Sequence, residues 1–163
     1  MNTKVDKDLL LKFFLVFSRF EYCLKATGMF VRHAVEPPKW PRAEPDWDSF
    51  ANQIRDSFDR NATDELREAC LYIVESPPNQ QVFTGHELAW ETPCCPKGES
   101  EIAFLLRMVR SVRNNLFHGG KYNIDFHEDT DRTTMLLRSS LHILNACLNI
   151  SPNQLAAYHE ARL

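Results

Sequence analysis

The sequence predicts an all-α protein, a single-domain antiparallel bundle of about five helices with two long irregular connections. Apolar residues recur every three or four positions in several long segments, which is the spacing of one helix face. No segment shows the sustained alternation of apolar and polar residues that is typical of strands. With 163 residues, 44% of them hydrophobic, the chain can form one core and is too short for two ordinary domains. We therefore predict one domain, residues 1–163.

The first predicted helix extends from about Lys4 to Phe30, with Gly28 near its end, and carries two neighbouring apolar stripes. The main stripe consists of Val5, Leu9, Phe13, Val16, Phe20 and Leu24, and the second consists of Leu10, Phe14 and Phe17. Such an arc is wider than a surface helix needs. We expect the helix either to lie at the centre of the bundle or to share its second stripe with a partner chain.

The two connections are expected to be irregular. Four prolines in residues 36–45 exclude a continuous helix, because each proline removes a backbone donor and fixes its own φ. Residues 76–98 mix Pro, Gly, Gln and Asn with isolated apolar residues, and they keep neither helical nor strand periodicity for long. This second connection is predicted to be a long loop.

Two helices are predicted between these connections. Asp46 or Asp48 can cap the first of them, because a carboxylate accepts a hydrogen bond from the free backbone N–H groups of a helix start. This helix carries Phe50, Ile54 and Phe58. The second helix follows Asn61-Ala62-Thr63 and runs through Leu66, Cys70, Ile73 and Val74 until Pro77-Pro78 ends it.

The clearest helix begins after Ser100 and ends at Gly119-Gly120, the residue type that best tolerates the left-handed end of a helix. Its apolar side consists of Ile102, Leu105, Leu106, Val109, Val112 and Leu116. Another helix is predicted from about Asp129 to Asn149, with Met135, Leu136, Leu137, Leu141, Leu144 and Leu148 on its apolar side. Pro152 opens a short terminal helix or turn.

Composition limits the classes of function. Charged residues make up 25% of the chain and the net charge is -3, so the overall basic excess of many nucleic-acid binders is missing and any contact with RNA must be local. The apolar run from Leu9 to Phe17 is interrupted by Lys12 and is shorter than the ~20 residues that cross a bilayer. The start of the chain resembles no secretory signal. We expect a cytoplasmic protein with no membrane role.

The five cysteines indicate free thiols in a reducing compartment, because their number is odd and they form no CxxC pair. Adjacent Cys94-Cys95, with His86 nearby in the chain, lack the spacing of the ligands in a structural zinc site. We therefore predict no metal and no cofactor.

The residues from Lys97 to Lys121 combine five basic with two acidic residues in an otherwise acidic chain. On a regular helix Arg110, Asn114 and His118 lie along one side, since they are four residues apart. Arg113 and His118 are roughly 140° apart around the axis, and the loosened last turn makes their convergence feasible. Taken alone, these residues are most simply a solvated basic face with a terminal His whose positive form interacts favourably with the helix dipole.

The run Arg113-Asn114-Asn115-Leu116-Phe117-His118, followed by Gly119-Gly120-Lys121, resembles the signature of the HEPN superfamily, and most of all its ApeA-like group. That signature is an Arg, four to six residues and a His, often with a polar residue just after the Arg. The segment Phe17-Ser18-Arg19-Phe20-Glu21-Tyr22 is also similar to the opening helix of that group. In one toxin branch a regulatory Tyr lies two residues after the His, whereas this chain has Gly120 there. Control through that tyrosine is therefore not expected.

The resemblance implies a metal-independent endoribonuclease that cleaves RNA by attack of the 2′-hydroxyl, leaving a 2′,3′-cyclic phosphate, and acts as a toxin or phage-defence effector. Arg113 and His118 would be catalytic with Asn114 in support. His suits proton transfer near neutral pH, and Arg holds a phosphate with a charge that it cannot lose. RNA-binding residues would be Arg107, Arg110, Asn115 and Lys121. Glu21 on the first helix is a candidate to hold an arginine of the motif, although an acidic residue on a helix is more often solvated.

The resemblance also implies a homodimer whose motifs face each other, because one chain supplies one motif histidine while cleavage uses both an acid and a base. RNA and a cognate antitoxin or regulator are the other expected partners. The alternative is a non-catalytic module that binds RNA, a nucleotide or a protein through the same basic face.

Overall fold

The chain folds into a bundle of helices, as predicted. The computed structural model describes residues 5–32, 36, 39–117 and 130–161. Within these residues the helices are α1 (Lys7–Ala26), α2 (Trp47–Ile54), α3 (Asp64–Glu75), α4 (Glu101–Phe117), α5 (Thr130–Asn149) and α6 (Pro152–Glu160). The strands are β1 (Phe30–Arg32), β2 (Ala43–Pro45), β3 (Gln80–Phe83) and β4 (Leu88–Glu91).

Several predicted helix starts are confirmed by hydrogen bonds. The Asp46 carboxylate accepts a bond of 2.9 Å from the Ser49 N–H at the start of α2, and Thr63 Oγ1 accepts one of 3.1 Å from the Leu66 N–H of α3. Ser100 Oγ accepts a bond of 3.3 Å from the Ala103 N–H of α4. Each cap satisfies a backbone donor that has no partner inside its helix, and each therefore fixes where the helix begins.

Two antiparallel strand pairs correct the prediction that the connections are irregular. In the first, β1 pairs with β2, with Phe30 opposite Pro45. In the second, β3 pairs with β4 and forms a hairpin inside the predicted loop 76–98. The prediction failed because each strand has only three or four residues, too few for a clear alternation along the sequence.

The helices enclose one apolar core in which α5 packs against α1, α3, α4 and α6, while α2 packs against α4. Phe13, Phe20 and Leu24 of α1 are fully buried there, together with Leu105 and Leu144. Phe58 lies beyond the end of α2, and Val74 and Met135 are exposed although their spacing predicted an apolar face. No helix among the described residues is long and apolar enough to cross a membrane.

Candidate functional site

The carboxyl-terminal part of α4 carries the first residues of the predicted motif. Its apolar side, which includes Leu105, Val109 and Val112, is buried in the core. That packing leaves Arg113 half-buried and Asn114 exposed in the last two turns of the helix. The predicted site residues His118 and Lys121, and the glycines at 119 and 120, lie outside the described residues.

Arg113 lies on aromatic rings from two helices. Its guanidinium carbon is 5.3 Å from the ring centre of Phe117 on α4 and 5.9 Å from that of Phe17 on α1. Its Nη1 also donates a hydrogen bond of 3.2 Å to Asn114 Oδ1. An arginine over an aromatic face gains about 0.5–2 kcal/mol, depending on its exposure. These contacts hold the cation beside α1, at the end of α4 where the motif continues.

Arg110 lies on a ring that packs against Phe17. Its guanidinium carbon is 5.9 Å from the ring centre of Trp47, and the Trp47 ring lies 5.5 Å from that of Phe17. Arg110, predicted to bind RNA, and Arg113, predicted to be catalytic, therefore lie on the rings of one aromatic cluster. A pair of arginines so placed can contact the phosphates of a nucleic acid.

Arg107 points to a different part of the structure. Its Nε and Nη2 donate to the two Glu99 carboxylate oxygens at 3.0 and 2.8 Å, and Nη2 also donates to the Cys94 carbonyl at 3.1 Å. The hydrogen bonds that Arg107 donates to Glu99 raise the pKa of Arg107 above its usual range. The structure thus does not place Arg107 with Arg110 and Arg113, and its predicted contact with RNA stays a prediction.

Asn115 also contacts the connection before α4. Its Nδ2 donates a hydrogen bond of 2.7 Å to the Asn79 carbonyl, and Gln80 donates one of 2.9 Å to Ser111 Oγ on the same helix. Asn115 therefore holds the base of the β3–β4 hairpin against α4. Its predicted role toward RNA would compete with this bond.

Replacing Arg107 with alanine is expected to loosen residues 92–100. The substitution removes a bidentate, partly buried ion pair and a bond to the Cys94 carbonyl, which should lower the free energy of unfolding by about 1–2 kcal/mol. Urea unfolding and limited proteolysis measure the two effects. Arg138→Ala, at an exposed position of α5, is the matched control and should change the free energy by less than about 0.5 kcal/mol. Proteolysis of this segment at the parent rate would contradict the prediction.

Glu21 is half-buried on α1, and among the described residues its side chain forms no hydrogen bond or ion pair. Its predicted support of an arginine stays a prediction. The rings beneath the arginines, those of Phe17, Trp47 and Phe117, were not predicted from the sequence. The contact between Phe117 and Arg113 could have been predicted, because Phe117 lies four residues after Arg113 and so on the same helix face.

The cysteines form no disulfide, and three of them are buried. Burial raises the pKa of Cys23 and of Cys70 to about 12, and it raises the pKa of Cys147 as well. These thiols stay protonated at neutral pH and act as small apolar groups in the core. Cys94 and Cys95 are exposed. In the described part of the chain, no three His, Cys, Asp or Glu side chains come together as metal ligands.

Comparisons of this chain with protein-family models, with curated proteins and with solved structures found no match.

Proposed function

We propose that this chain is a metal-independent endoribonuclease that works as a homodimer, a cytoplasmic toxin or phage-defence effector controlled by a cognate antitoxin or regulator. The observation that supports it most is the position of Arg113. Its guanidinium lies over the rings of Phe17 and Phe117 and donates a hydrogen bond to Asn114. His118 directly follows Phe117 in the sequence. Cleavage of a phosphate ester near neutral pH uses a cation for the phosphate and a histidine for proton transfer, and the sequence supplies both in the six residues from Arg113 to His118.

The proposed reaction is an internal transfer within RNA. A histidine accepts the proton of the 2′-hydroxyl, and the 2′-oxygen then forms a bond to the adjacent phosphorus. The bond from phosphorus to the 5′-oxygen breaks, and that oxygen takes a proton from a general acid. The products are a 2′,3′-cyclic phosphate and a 5′-hydroxyl. Arg113 neutralises the charge that develops on the phosphate oxygens.

A second chain would supply the second proton-transfer group. On α1, Leu11, Leu15 and Tyr22 are spaced by four and seven residues, so they share one face, and all three are exposed. Asp8 and Lys12, of opposite charge, lie beside Leu11 and Leu15 in an open groove of about 360 Å³. An apolar stripe with both signs of charge at its edge suits pairing with a copy of itself. We refer to Leu11, Leu15 and Tyr22 as the α1 stripe.

Cleavage in excess chelator tests the proposal. Purified protein and single-stranded RNA are incubated with EDTA, and the ends of the products are determined. We expect products with a 2′,3′-cyclic phosphate and a 5′-hydroxyl, because the 2′-oxygen is the nucleophile. Products with a 3′-hydroxyl and a 5′-phosphate would contradict the mechanism. Binding of RNA without cleavage would favour the alternative, a module that only binds.

Replacing Leu15 with aspartate is expected to convert the dimer to a monomer, because it places a charge in the apolar α1 stripe of each copy, which the interface would have to bury. Loss of the second proton-transfer group should lower cleavage by about 100-fold or more. Light scattering measures the mass and a gel assay the cleavage. Met135→Asp, at an exposed apolar position of α5, is the control and should remain dimeric and active. A fully active monomer would contradict the composite site.

A further inference from the structure

Two exposed phenylalanine rings meet at the motif end of α4. The ring centres of Phe14 on α1 and Phe117 on α4 are 5.2 Å apart, with 44° between the ring planes. Phe14 is 41% and Phe117 50% exposed, although phenylalanine is usually buried. The fold thus presents a pair of rings, here called the Phe14–Phe117 pair, with part of their surface open to solvent.

Polar groups of distinct kinds surround this pair. The Arg113 guanidinium carbon lies 5.3 Å from the Phe117 ring centre. The Asn114 amide is exposed beside it, and its nitrogen can donate to an acceptor on a ligand. An open aromatic surface, a cation and an amide therefore lie within one small area.

This combination matches an unpaired nucleotide. A nucleobase stacks on an aromatic ring, its edge bonds to an amide, and its phosphate pairs with an arginine. A base can stack on these rings only if it is not paired and stacked inside a duplex, so the ligand is single-stranded RNA. The outward face of the β3–β4 hairpin offers a contrast. It exposes Phe83 and Trp90, but residues 80–91 contain two glutamates and no lysine or arginine. Such a surface does not attract the negatively charged backbone of RNA.

We infer that the Phe14–Phe117 pair is a stacking subsite for an unpaired base of single-stranded RNA, adjacent to the phosphate held by Arg113. The inference rests on the proposed ribonuclease function and specifies the form of its substrate. It is compatible with the proposed dimer, because Phe14 lies about 80° around the helix from the middle of the α1 stripe, on the side of α4.

Binding is measured separately from cleavage. The full chain carries His118→Ala so that RNA is not consumed, and fluorescence anisotropy gives its Kd for a labelled ten-nucleotide single strand and for the same strand as a duplex. Phe14→Leu or Phe117→Leu should weaken single-strand binding about 5- to 100-fold, as loss of one stacked ring does, and should leave duplex binding nearly unchanged. Phe83→Leu, the matched control on the hairpin, should bind like the parent.

Phe117→Tyr keeps the ring and should bind single strands within about twofold of the parent. Melting temperatures identify any variant that fails to fold. If Phe117→Leu does not fold, the affinities of Phe117→Tyr and Phe14→Leu for single-stranded RNA test the subsite. Parent-like single-strand affinity of the leucine variants would overturn the subsite. So would equal losses on duplex and single strand, or loss of the dimer mass in place of RNA affinity, since the pair would then contact protein.

The two proposals fail separately. If the wild-type chain cuts RNA but the leucine variants bind normally, only the subsite is wrong. If the wild-type chain cuts no RNA but single-strand binding depends on the two rings, the subsite stands and the catalytic proposal is wrong.

Discussion

Replacing His118 with alanine is expected to lower the rate of RNA cleavage by about 10²- to 10⁴-fold. A methyl group can neither accept the proton of the 2′-hydroxyl nor return one to the 5′-oxygen, and general acid–base catalysis contributes this range. Arg113→Ala should cost about 10²- to 10³-fold, because it removes the cation that stabilises the charged phosphate. Arg113→Lys should recover only part of the loss, since an ammonium group lacks the planar fork of donors.

Gel assays with RNA in excess chelator measure these rates. His142→Ala is the matched control, because His142 is exposed on α5 and has no place in the proposed chemistry. It should cleave like the parent. Cleavage at one rate in wild type, His118→Ala and Arg113→Ala would identify a contaminating nuclease and remove the support for an enzyme. The His118→Ala variant should still bind RNA if catalysis alone is lost.

Replacing Phe20 with alanine is expected to lower the free energy of unfolding by about 3–5 kcal/mol. Phe20 is fully buried. Its ring lies parallel to that of Trp47 at 5.2 Å and edge-on to that of Phe50 at 5.4 Å. The substitution leaves a cavity where α1 meets α2, and the loss is a large part of the roughly 5–15 kcal/mol that stabilises a domain.

Urea unfolding followed by circular dichroism measures this loss. Phe83→Ala is the control, since Phe83 is 68% exposed on the hairpin, and it should cost less than about 1 kcal/mol. A loss below about 1 kcal/mol for Phe20→Ala would contradict the packing described. Because Trp47 also lies beneath Arg110, we expect Phe20→Ala to weaken RNA binding as well.

The two strand pairs could not be predicted from the sequence. The outward face of the β3–β4 hairpin carries Phe83 and Leu88, which lie opposite each other. Alternation over four residues is too short to distinguish a strand from a loop with scattered apolar residues. The hairpin is held by distant groups such as Asn115 and Ser111, so its formation depends on contacts that no local pattern encodes.

The helix that carries Arg110 and Arg113 was predicted from local spacing. The rings on which the two arginines lie, those of Trp47 and Phe17, belong to other helices and were not predicted. The pairing of Arg107 with Glu99 could not be deduced with equal ease, because Glu99 lies eight positions earlier in the chain, before α4 begins. A sequence shows which cations are near each other along a helix, whereas the loop packed beside that helix decides which of them it pairs with.

What the sequence by itself determined is the helical architecture. Its periodicity and its caps at Asp46, Thr63 and Ser100 act within a few residues, so they can be read before any packing is known. Only the tertiary structure decided that α1 would meet the end of α4, bringing Phe14 to Phe117 and Phe17 to Arg113. These contacts join residues about a hundred positions apart, and they arise because the helices must bury their apolar faces together in one core.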